Sequence, residues 1–272
     1  MTMEALNRQS EIGMTPVKFE REGAVARLVL SRPDAGNGID VALARTLLEH
    51  AIACDEDDSI RAVVLTGEGR MFCVGGDITA FGAAGDNAPA LIKEITAYLH
   101  AAIARLSHMN KPLLTAINGP AAGAGLSLAV LGDIAIARAS AHFTVAYTAV
   151  GLSPDGGASW LLPRLIGLRR AQELALLNRR VGAEEAAQIG LITRAVADDA
   201  FEEEVASLAR QLAVSATGAI GRTRNLLLSS LHTPLEAHMD AEARSIAEGA
   251  RSEHGRRAIA AFLAKQKPDF SN

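Results

Sequence analysis

Aromatic residues and cysteines are both scarce in this chain of 272 residues. One Trp, two Tyr and seven Phe make up 4% of it, whereas 49% of the residues are hydrophobic. The core must therefore be mainly aliphatic, which favours close-packed helices on a sheet. The two cysteines, Cys54 and Cys73, are too few for a disulfide framework and fit no zinc-site spacing. We therefore expect a reducing, cytoplasmic setting and no bound metal.

The chain also has no large excess of positive or negative charge. It contains 27 Lys and Arg and 31 Asp and Glu, which gives a net charge of -4. There is no basic arm or stripe, so nucleic acid is not an expected partner. The first residues lack the apolar stretch of a signal peptide. The most apolar segment, residues 112–137, contains Asn118, Pro120 and Asp133, which favours a buried core segment over a membrane span.

Three regions follow one another along the chain. Residues 1–15 are polar and patternless, which is typical of a flexible tail. In residues 16–197, short β-type runs alternate with helical stretches, which predicts an α/β structure with largely parallel strands. The predicted strands are 17–19, 24–30, 62–65, 113–117 and 134–137, and the predicted helices are 40–53, 89–106, 123–131, 168–177 and 183–189.

Residues 198–272 carry helical periodicity alone, with helices predicted near 198–214, 216–230, 234–250 and 254–264. A helical block with a hydrophobic stripe, appended to an α/β body, either packs against another subunit or forms a further layer on the same core. Composition favours neither interpretation.

Two glycine-rich segments each follow a predicted strand. Residues 67–77 could present backbone N–H groups to a ligand without Cβ atoms in the way, although glycine-rich surface loops are common. Residues 118–127 open a helix, whose unpaired N–H groups suit an oxygen that becomes negatively charged. They form neither a Walker A loop nor a Rossmann fingerprint, and close helix–strand packing is the simpler explanation of their small residues.

A single carboxylate stands out in residues 150–163. Asp155 follows Ser-Pro and precedes two glycines, a context in which Asp commonly forms a turn or caps a helix. Its apolar neighbours, including Trp160, also suit a carboxylate that shuttles a proton, because apolar surroundings raise a carboxyl pKa. Two loops able to donate N–H groups and one carboxylate together favour enolate chemistry on a thioester, since removal of its α-proton requires the carbonyl charge to be stabilised.

Four segments carry a family resemblance: Ser-Arg-Pro-Asp at 31–34, Phe-Cys-Val-Gly-Gly-Asp at 72–77, Asn-Gly-Pro-Ala-Ala-Gly-Ala-Gly at 118–125, and Ala-Ala-Phe-Leu-Ala-Lys-Gln-Lys-Pro at 260–268. Together and in this order they resemble the crotonase (enoyl-CoA hydratase/isomerase) superfamily, from residue 17 to the C-terminus. The resemblance implies a crotonase-like spiral of ββα turns over 16–197 and a helical trimerisation region over 198–272. It also implies a homotrimer or a dimer of trimers, with an acyl-CoA as substrate and no separate cofactor.

The resemblance also implies roles for individual residues. The backbone N–H groups of Val74 and Ala124 would form an oxyanion hole for the thioester carbonyl. From a neighbouring subunit, Phe262 and Lys265 would approach the adenine and phosphate end of the substrate. The residues that would lie against coenzyme A are Gly76, Asp77 and Ile78.

The acid–base residues depart from the hydratase pattern. Hydratases of this superfamily use two glutamates, at positions where this chain has Ser127 and Tyr147, so efficient hydration is not expected. Asp155 matches the single acid of the ring isomerase of phenylacetate degradation and of some Δ3,Δ2-enoyl-CoA isomerases. The chain is therefore predicted to convert a 3-enoyl-CoA, or a related cyclic acyl-CoA, to the 2-enoyl-CoA, with Asp155 as acid and base. The residues expected to shape the acyl pocket are Ser127, Tyr147 and Trp160.

Two other functions stay open. Aryl-CoA dehalogenases of the superfamily use an aspartate at the Asp155 position as a nucleophile. They place a Trp eight residues earlier, where this chain has Tyr147, and a histidine on the preceding helix, near His100. The simpler interpretation of His100 is a partly exposed helix residue, and that of Cys73 is a small buried filler. A non-catalytic acyl-CoA-binding protein would also lack both glutamates, but retention of Asp155 argues against it.

Overall fold

The computed structural model describes residues 15–270. Residues 1–14, which make up nearly all of the predicted flexible tail, and residues 271–272 lie outside the described residues. Between these limits the chain forms two β-sheets and a set of helices, which confirms the predicted α/β class. No helix within the described part is long and apolar enough to cross a membrane.

The larger sheet has six strands in the order β1-β2-β3-β4-β6-β9. β1 and β2 form an antiparallel hairpin, and every later neighbouring pair is parallel. A second, smaller sheet has the order β5-β7-β8. The strands are β1 (Val17–Glu22), β2 (Val25–Leu30), β3 (Ala62–Gly67), β4 (Leu113–Ile117), β5 (Ala121–Ala122), β6 (Ile134–Arg138), β7 (His142–Thr144), β8 (Val181–Gly182) and β9 (Arg194–Val196).

The helices lie between and after these strands, and several begin at capping residues. Asp40 accepts a hydrogen bond from the Leu43 N–H at 2.8 Å and so caps the first helix. The α-helices are α1 (Val41–Glu56), α2 (Ile78–Ala84), α3 (Ala88–His108), α4 (Ala124–Ala129), α5 (Ala158–Ile166), α6 (Leu168–Leu177), α7 (Ala183–Gln188), α8 (Phe201–Ala213), α9 (Thr217–Ser229), α10 (Leu235–Arg251) and α11 (Glu253–Leu263).

Alternate side chains of the central strands face opposite layers of the protein. On β3, Val63 and Leu65 belong to the larger core, together with apolar residues of α1 and α3. Ala62 and Val64 on the same strand pack against the apolar face of α8 instead. Burial on both faces is typical of parallel strands. The first helix of the C-terminal block is therefore a further layer of the same α/β body, on the opposite face of the larger sheet.

The last two helices are different, because neither α10 nor α11 contains a buried residue. Apolar side chains on them are largely exposed in the single chain: Leu235, Ile246, Phe262 and Leu263. Large exposed apolar groups of this kind mark interaction surfaces. For α10 and α11, packing against another subunit is therefore still a prediction.

Some elements were not predicted from the sequence, and each has a physical reason. Strands β5, β7, β8 and β9 have two or three residues each, which is too short to show a period. Helix α2 follows the glycine-rich segment 67–77, where no helix was predicted; Asp77, the last residue of that segment, caps it. Helix α5 contains Pro163, which normally interrupts a helical pattern.

One buried arginine joins the C-terminal helices to the core. Arg224 on α9 donates to the carbonyl groups of Leu106, Met109 and Lys111, at the end of α3 and just before β4. Its Nε donates to Asp133 Oδ1 at 2.6 Å. The carbonyl groups that end a helix have no partner within it, so Arg224 supplies the donors that satisfy them.

We predict that Arg224→Ala lowers the free energy of unfolding by about 3 kcal/mol, because three buried carbonyl groups and a carboxylate lose a charged donor. Urea denaturation followed by circular dichroism, at one fixed protein concentration, measures this. Arg210→Ala is the matched control, since Arg210 forms an exposed ion pair on the neighbouring helix, and it should cost less than about 1 kcal/mol. Equal losses from both variants would contradict the role of Arg224.

Candidate active site

The three segments singled out in the sequence meet around one cavity of about 280 Å³. Gly76, Ala124 and Asp155, one from each segment, all line it. Helix α3 supplies the apolar wall with side chains three and four residues apart, which therefore lie on one face of the helix. These wall residues are Ile92, Ile95, Thr96 and Leu99.

Glycines allow the two N–H-bearing loops to touch without a side chain between them. Gly75 has φ +100°, and a Cβ there would lie 2.9 Å from the Ala122 carbonyl oxygen and 3.2 Å from the Ala124 nitrogen. A Cβ on Gly125 would lie 2.1 Å from the Cys73 carbonyl oxygen. The distances of 2.9 Å and 2.1 Å to carbonyl oxygens are shorter than real Cβ contacts, so only glycine fits at either position.

The hydrogen bonds of these loops decide which N–H groups are free. The Val74 N–H donates to the Gly36 carbonyl at 3.0 Å, so it is already committed within the protein. Among the described residues, the N–H groups of Gly76 and Ala124 have no acceptor. Ala124 is the first residue of α4, where a free N–H is expected. Of the two predicted donors, Val74 is therefore paired within the protein and Ala124 is not, and Gly76 offers a second free N–H in the loop that contains Val74.

Asp155 is held by a tyrosine and a serine that stand behind it. The Tyr147 hydroxyl donates to Asp155 Oδ1 at 2.6 Å, and Ser127 Oγ donates to the Asp155 backbone carbonyl at 3.0 Å. Helix α5 begins after Gly157, with no side-chain cap, so Asp155 is not a helix cap. Its carboxylate is instead oriented at the cavity wall by hydrogen bonding.

Tyr147 is suited to remain a donor. Burial and the neighbouring Asp155 charge raise the pKa of its phenol well above the usual value. The residue before it, Ala146, has φ +63°, a left-handed conformation that costs a non-glycine residue about 1 kcal/mol. This strained turn sets the direction from which Tyr147 reaches Asp155.

A histidine that the sequence left as a helix surface residue also reaches Asp155. His100 Nε2 lies 3.4 Å from Asp155 Oδ2, and it accepts a hydrogen bond from the Gly156 N–H at 3.1 Å. The available signal was its position on α3, four residues after Thr96, which lines the cavity. A spacing of four residues places two side chains on the same face of a helix.

Several predicted residues lie elsewhere. Trp160 is not among the residues that line the cavity, so the cavity lining gives no support to its predicted role in the acyl pocket. The ring contacts the Arg164 guanidinium, whose central carbon lies 4.1 Å from the ring centroid. Ser127 is buried behind Tyr147 and Asp155 rather than at the cavity surface. Phe262 is 80% exposed on α11, and Lys265 follows that helix, also exposed.

The predicted coenzyme A loop divides into two kinds of residue. Ile78 is exposed and lines the cavity beside Gly76. Asp77 caps α2 by accepting from the Ala80 N–H at 3.0 Å, and it pairs with Arg32 at 3.1 Å. Burial opposes ionisation of Asp77, but these hydrogen bonds outweigh it and lower its pKa. Asp77 therefore shapes the loop from inside.

Cys73 lies beneath the same loop and is fully buried. Burial raises the pKa of its thiol to about 12, and Sγ donates to the Asn37 carbonyl at 3.1 Å. A thiol in this state is not a nucleophile at neutral pH. In residues 15–270, no group of three or more His, Cys, Asp or Glu side chains is placed to hold a metal ion.

Known proteins resemble this chain along nearly all of its length. The family model described as enoyl-CoA hydratase/isomerase matches residues 20–272. The 1,2-epoxyphenylacetyl-CoA isomerase of Escherichia coli K12 is 37% identical over 251 residues, which are 92% of this chain and 96% of that protein. The 4-chlorobenzoyl coenzyme A dehalogenase-2 of an Arthrobacter species is 33% identical over 253 residues, which are 92% and 91% of the two chains.

Solved structures agree with the sequence comparisons. The crystal structure of a putative enoyl-CoA hydratase from Streptomyces coelicolor A3(2) matches with a TM-score of 0.89 and 33% identity, and it covers 96% of each chain. This match confirms the crotonase fold with its helical C-terminal region. The chain belongs to the enoyl-CoA hydratase/isomerase family, that is, to the crotonase superfamily.

Proposed function

We propose that this protein is an acyl-CoA isomerase that moves a double bond from the 3-position to the 2-position of a thioester. One observation carries the proposal: Asp155, held by the Tyr147 hydroxyl at 2.6 Å, lines the same cavity as Gly76 and Ala124, whose N–H groups have no acceptor in the described chain. A base and two oxygen-binding donors around an apolar cavity are the groups that enolate formation requires.

The reaction proceeds in two proton transfers. The thioester carbonyl oxygen accepts hydrogen bonds from the N–H groups of Gly76 and Ala124, which stabilise the charge that develops when Asp155 removes the C2 proton. The dienolate then receives a proton from Asp155 at C4, and the double bond ends between C2 and C3. One carboxylate serves both carbons because they lie close together in a short allylic system.

The residues around the cavity explain why hydration is disfavoured. Adding water across a conjugated double bond needs one group that activates water and another that handles the α-proton. Asp155 is the single carboxylate among the described residues that line the cavity. Ser127 and Tyr147 use their hydroxyl groups to hold Asp155, so neither supplies a second base.

The assembly and the coenzyme A contacts belong to the same proposal. Phe262 and Lys265 are exposed near the end of the last helix, where a neighbouring subunit can receive them. Gly76 and Ile78 line the cavity from which the coenzyme A chain would extend. A homotrimer, or a pair of trimers, would cover the exposed apolar side chains of α10 and α11 and complete the site.

We predict that Asp155→Asn lowers kcat on 3-hexenoyl-CoA by about 10²–10⁴, since an amide cannot accept the C2 proton. The absorbance of the conjugated 2-enoyl thioester follows the reaction. Asp86→Asn, at an exposed carboxylate outside the cavity, is the control and should keep wild-type turnover. Full activity in the Asp155→Asn protein would reject this residue as the base.

The oxyanion hole can be tested by removing one N–H group. Ala124 is the first residue of α4, a position where proline is well tolerated and its missing N–H breaks no helix bond. Ala124→Pro should therefore fold but lose about 10²–10³ in kcat. Ala124→Ser keeps the N–H and should lose far less. If the two variants have equal kcat, the Ala124 N–H does not bind the reacting oxygen.

The contact between His100 and Asp155 favours a second candidate function. In a dehalogenase, an aspartate displaces halide from the aromatic ring of an aryl thioester, and a water molecule activated by a base then releases the product by attacking the ester. Asp155 with His100 at 3.4 Å could fill these two roles, and the chain resembles an Arthrobacter dehalogenase at 33% identity. Tyr147 stands at the position of the tryptophan found in those enzymes.

Incubation with 4-chlorobenzoyl-CoA and, separately, with 3-hexenoyl-CoA separates the two functions. For the isomerase we expect conjugated thioester from the enoyl substrate and no chloride above the enzyme-free blank. Stoichiometric chloride together with 4-hydroxybenzoyl-CoA would establish the dehalogenase instead. Ion chromatography measures the chloride, and mass spectrometry identifies both thioester products.

A further inference from the structure

His100 makes two contacts through a single ring nitrogen. Nε2 accepts the Gly156 N–H at 3.1 Å and lies 3.4 Å from Asp155 Oδ2. A ring nitrogen that accepts an N–H holds a lone pair and no hydrogen, so the hydrogen of the neutral ring is on Nδ1. In this state the lone pair of Nε2 faces the Asp155 carboxylate without a proton between them.

The two oxygens of the Asp155 carboxylate are not equivalent. Oδ1 receives the Tyr147 hydroxyl hydrogen at 2.6 Å, which stabilises negative charge on that oxygen. A proton taken from a substrate is therefore better placed on Oδ2. Once protonated, Oδ2 becomes a donor directed at the Nε2 lone pair, and the 3.4 Å contact turns into an O–H···N hydrogen bond.

His100 also provides a route from Asp155 to water. Its side chain is 50% exposed, whereas that of Asp155 is 28% exposed. Tyr147, the other titratable neighbour of the carboxylate, is buried, so it does not give Asp155 a comparable contact with water. Imidazole can accept a proton on one nitrogen and release another from the second.

We propose that His100 is a proton relay that connects Asp155 with bulk solvent during isomerisation; the proposal rests on the isomerase function above. The Asp155 Oδ2–H bond breaks and an Nε2–H bond forms, while the Gly156 N–H gives up its acceptor. The resulting imidazolium loses its Nδ1 hydrogen to water, and the reverse sequence returns a solvent proton to Asp155. No proton is gained or lost overall, but the proton delivered to C4 comes from solvent.

The test is the isotope content of the product formed in D₂O. The wild-type protein acts on 3-hexenoyl-CoA until only a small part of the substrate has been converted. Mass spectrometry with fragmentation then gives the fraction of 2-hexenoyl-CoA molecules that carry deuterium at C4. We expect most wild-type product to be deuterated. In His100→Gln the side-chain oxygen still accepts the Gly156 N–H but cannot relay a proton, so the deuterated fraction should fall several-fold.

This fraction is counted per product molecule, so a simple loss of activity does not lower it. A merely structural role for His100 would loosen the site and admit water, which would raise the fraction. His108→Gln, at an exposed histidine near the end of the same helix, is the matched control and should give the wild-type value.

Three outcomes would overturn the relay. If His100→Gln incorporates as much deuterium as wild type, water reaches Asp155 by another route. If wild-type product carries no deuterium, the proton remains on Asp155 throughout turnover. Both of these results leave the isomerase intact. If wild type forms no 2-hexenoyl-CoA at all, the isomerase proposal fails, and the relay fails with it.

Discussion

The direct backbone contact between two glycine-rich loops is the constraint on which the site depends. The Ala122 N–H donates to the Cys73 carbonyl at 2.9 Å, and there is no room for a Cβ on Gly125 beside that same carbonyl. The loops follow β3 and β4, which are paired parallel neighbours, so their ends lie side by side. This contact sets the separation of Gly76 and Ala124 before any substrate is present, which is the preorganisation that oxyanion stabilisation requires.

The acid–base groups follow a different principle, because they depend on side chains. Where hydratases of the superfamily carry two glutamates, Ser127 and Tyr147 bring hydroxyl groups that donate to the backbone and the carboxylate of Asp155. Two nearby carboxylates would each disfavour ionisation of the other. Hydroxyl donors instead stabilise one charge in one orientation. In the proposed mechanism, two hydroxyl groups in place of two glutamates thus remove a water-activating group and hold a single base in one orientation.

The sequence was sufficient for elements with a strong local pattern. Strand Leu113–Ile117 and helix Leu168–Leu177 have the bounds that were predicted, since a largely apolar run and a clear amphipathic period need no tertiary information. The meeting of the glycine loops and Asp155 at one cavity also agrees with the segments that the sequence singled out. Strands of two residues, such as β5, become visible only once their partner strand is in place.

Errors in the site came from contacts between residues far apart in the chain. The Val74 N–H is occupied by Gly36, 38 positions earlier, and no local pattern reveals that bond. The His100 ring meets Asp155 across 55 positions, which needs the packing of α3 to be known. Trp160 lies outside the cavity lining, and the direction of its side chain also depends on how helix α5 packs. The sequence thus located the segments that meet at the cavity, but it could not predict the directions in which individual N–H groups and side chains point.

The division between backbone and side-chain functions explains how one scaffold supports several reactions. The N–H groups of Gly76 and Ala124 belong to the backbone, so substitutions nearby change them little as long as the glycines remain. The side chains of Ser127, Tyr147 and His100 contact Asp155 and can change without disturbing the loops. Under the proposed mechanism the fold fixes the groups that stabilise an enolate, whereas a few side chains choose among isomerisation, hydration and displacement of halide. In this chain the one carboxylate at the cavity is Asp155. The buried Tyr147 phenol donates to one of its oxygens, and the half-exposed His100 imidazole lies beside the other.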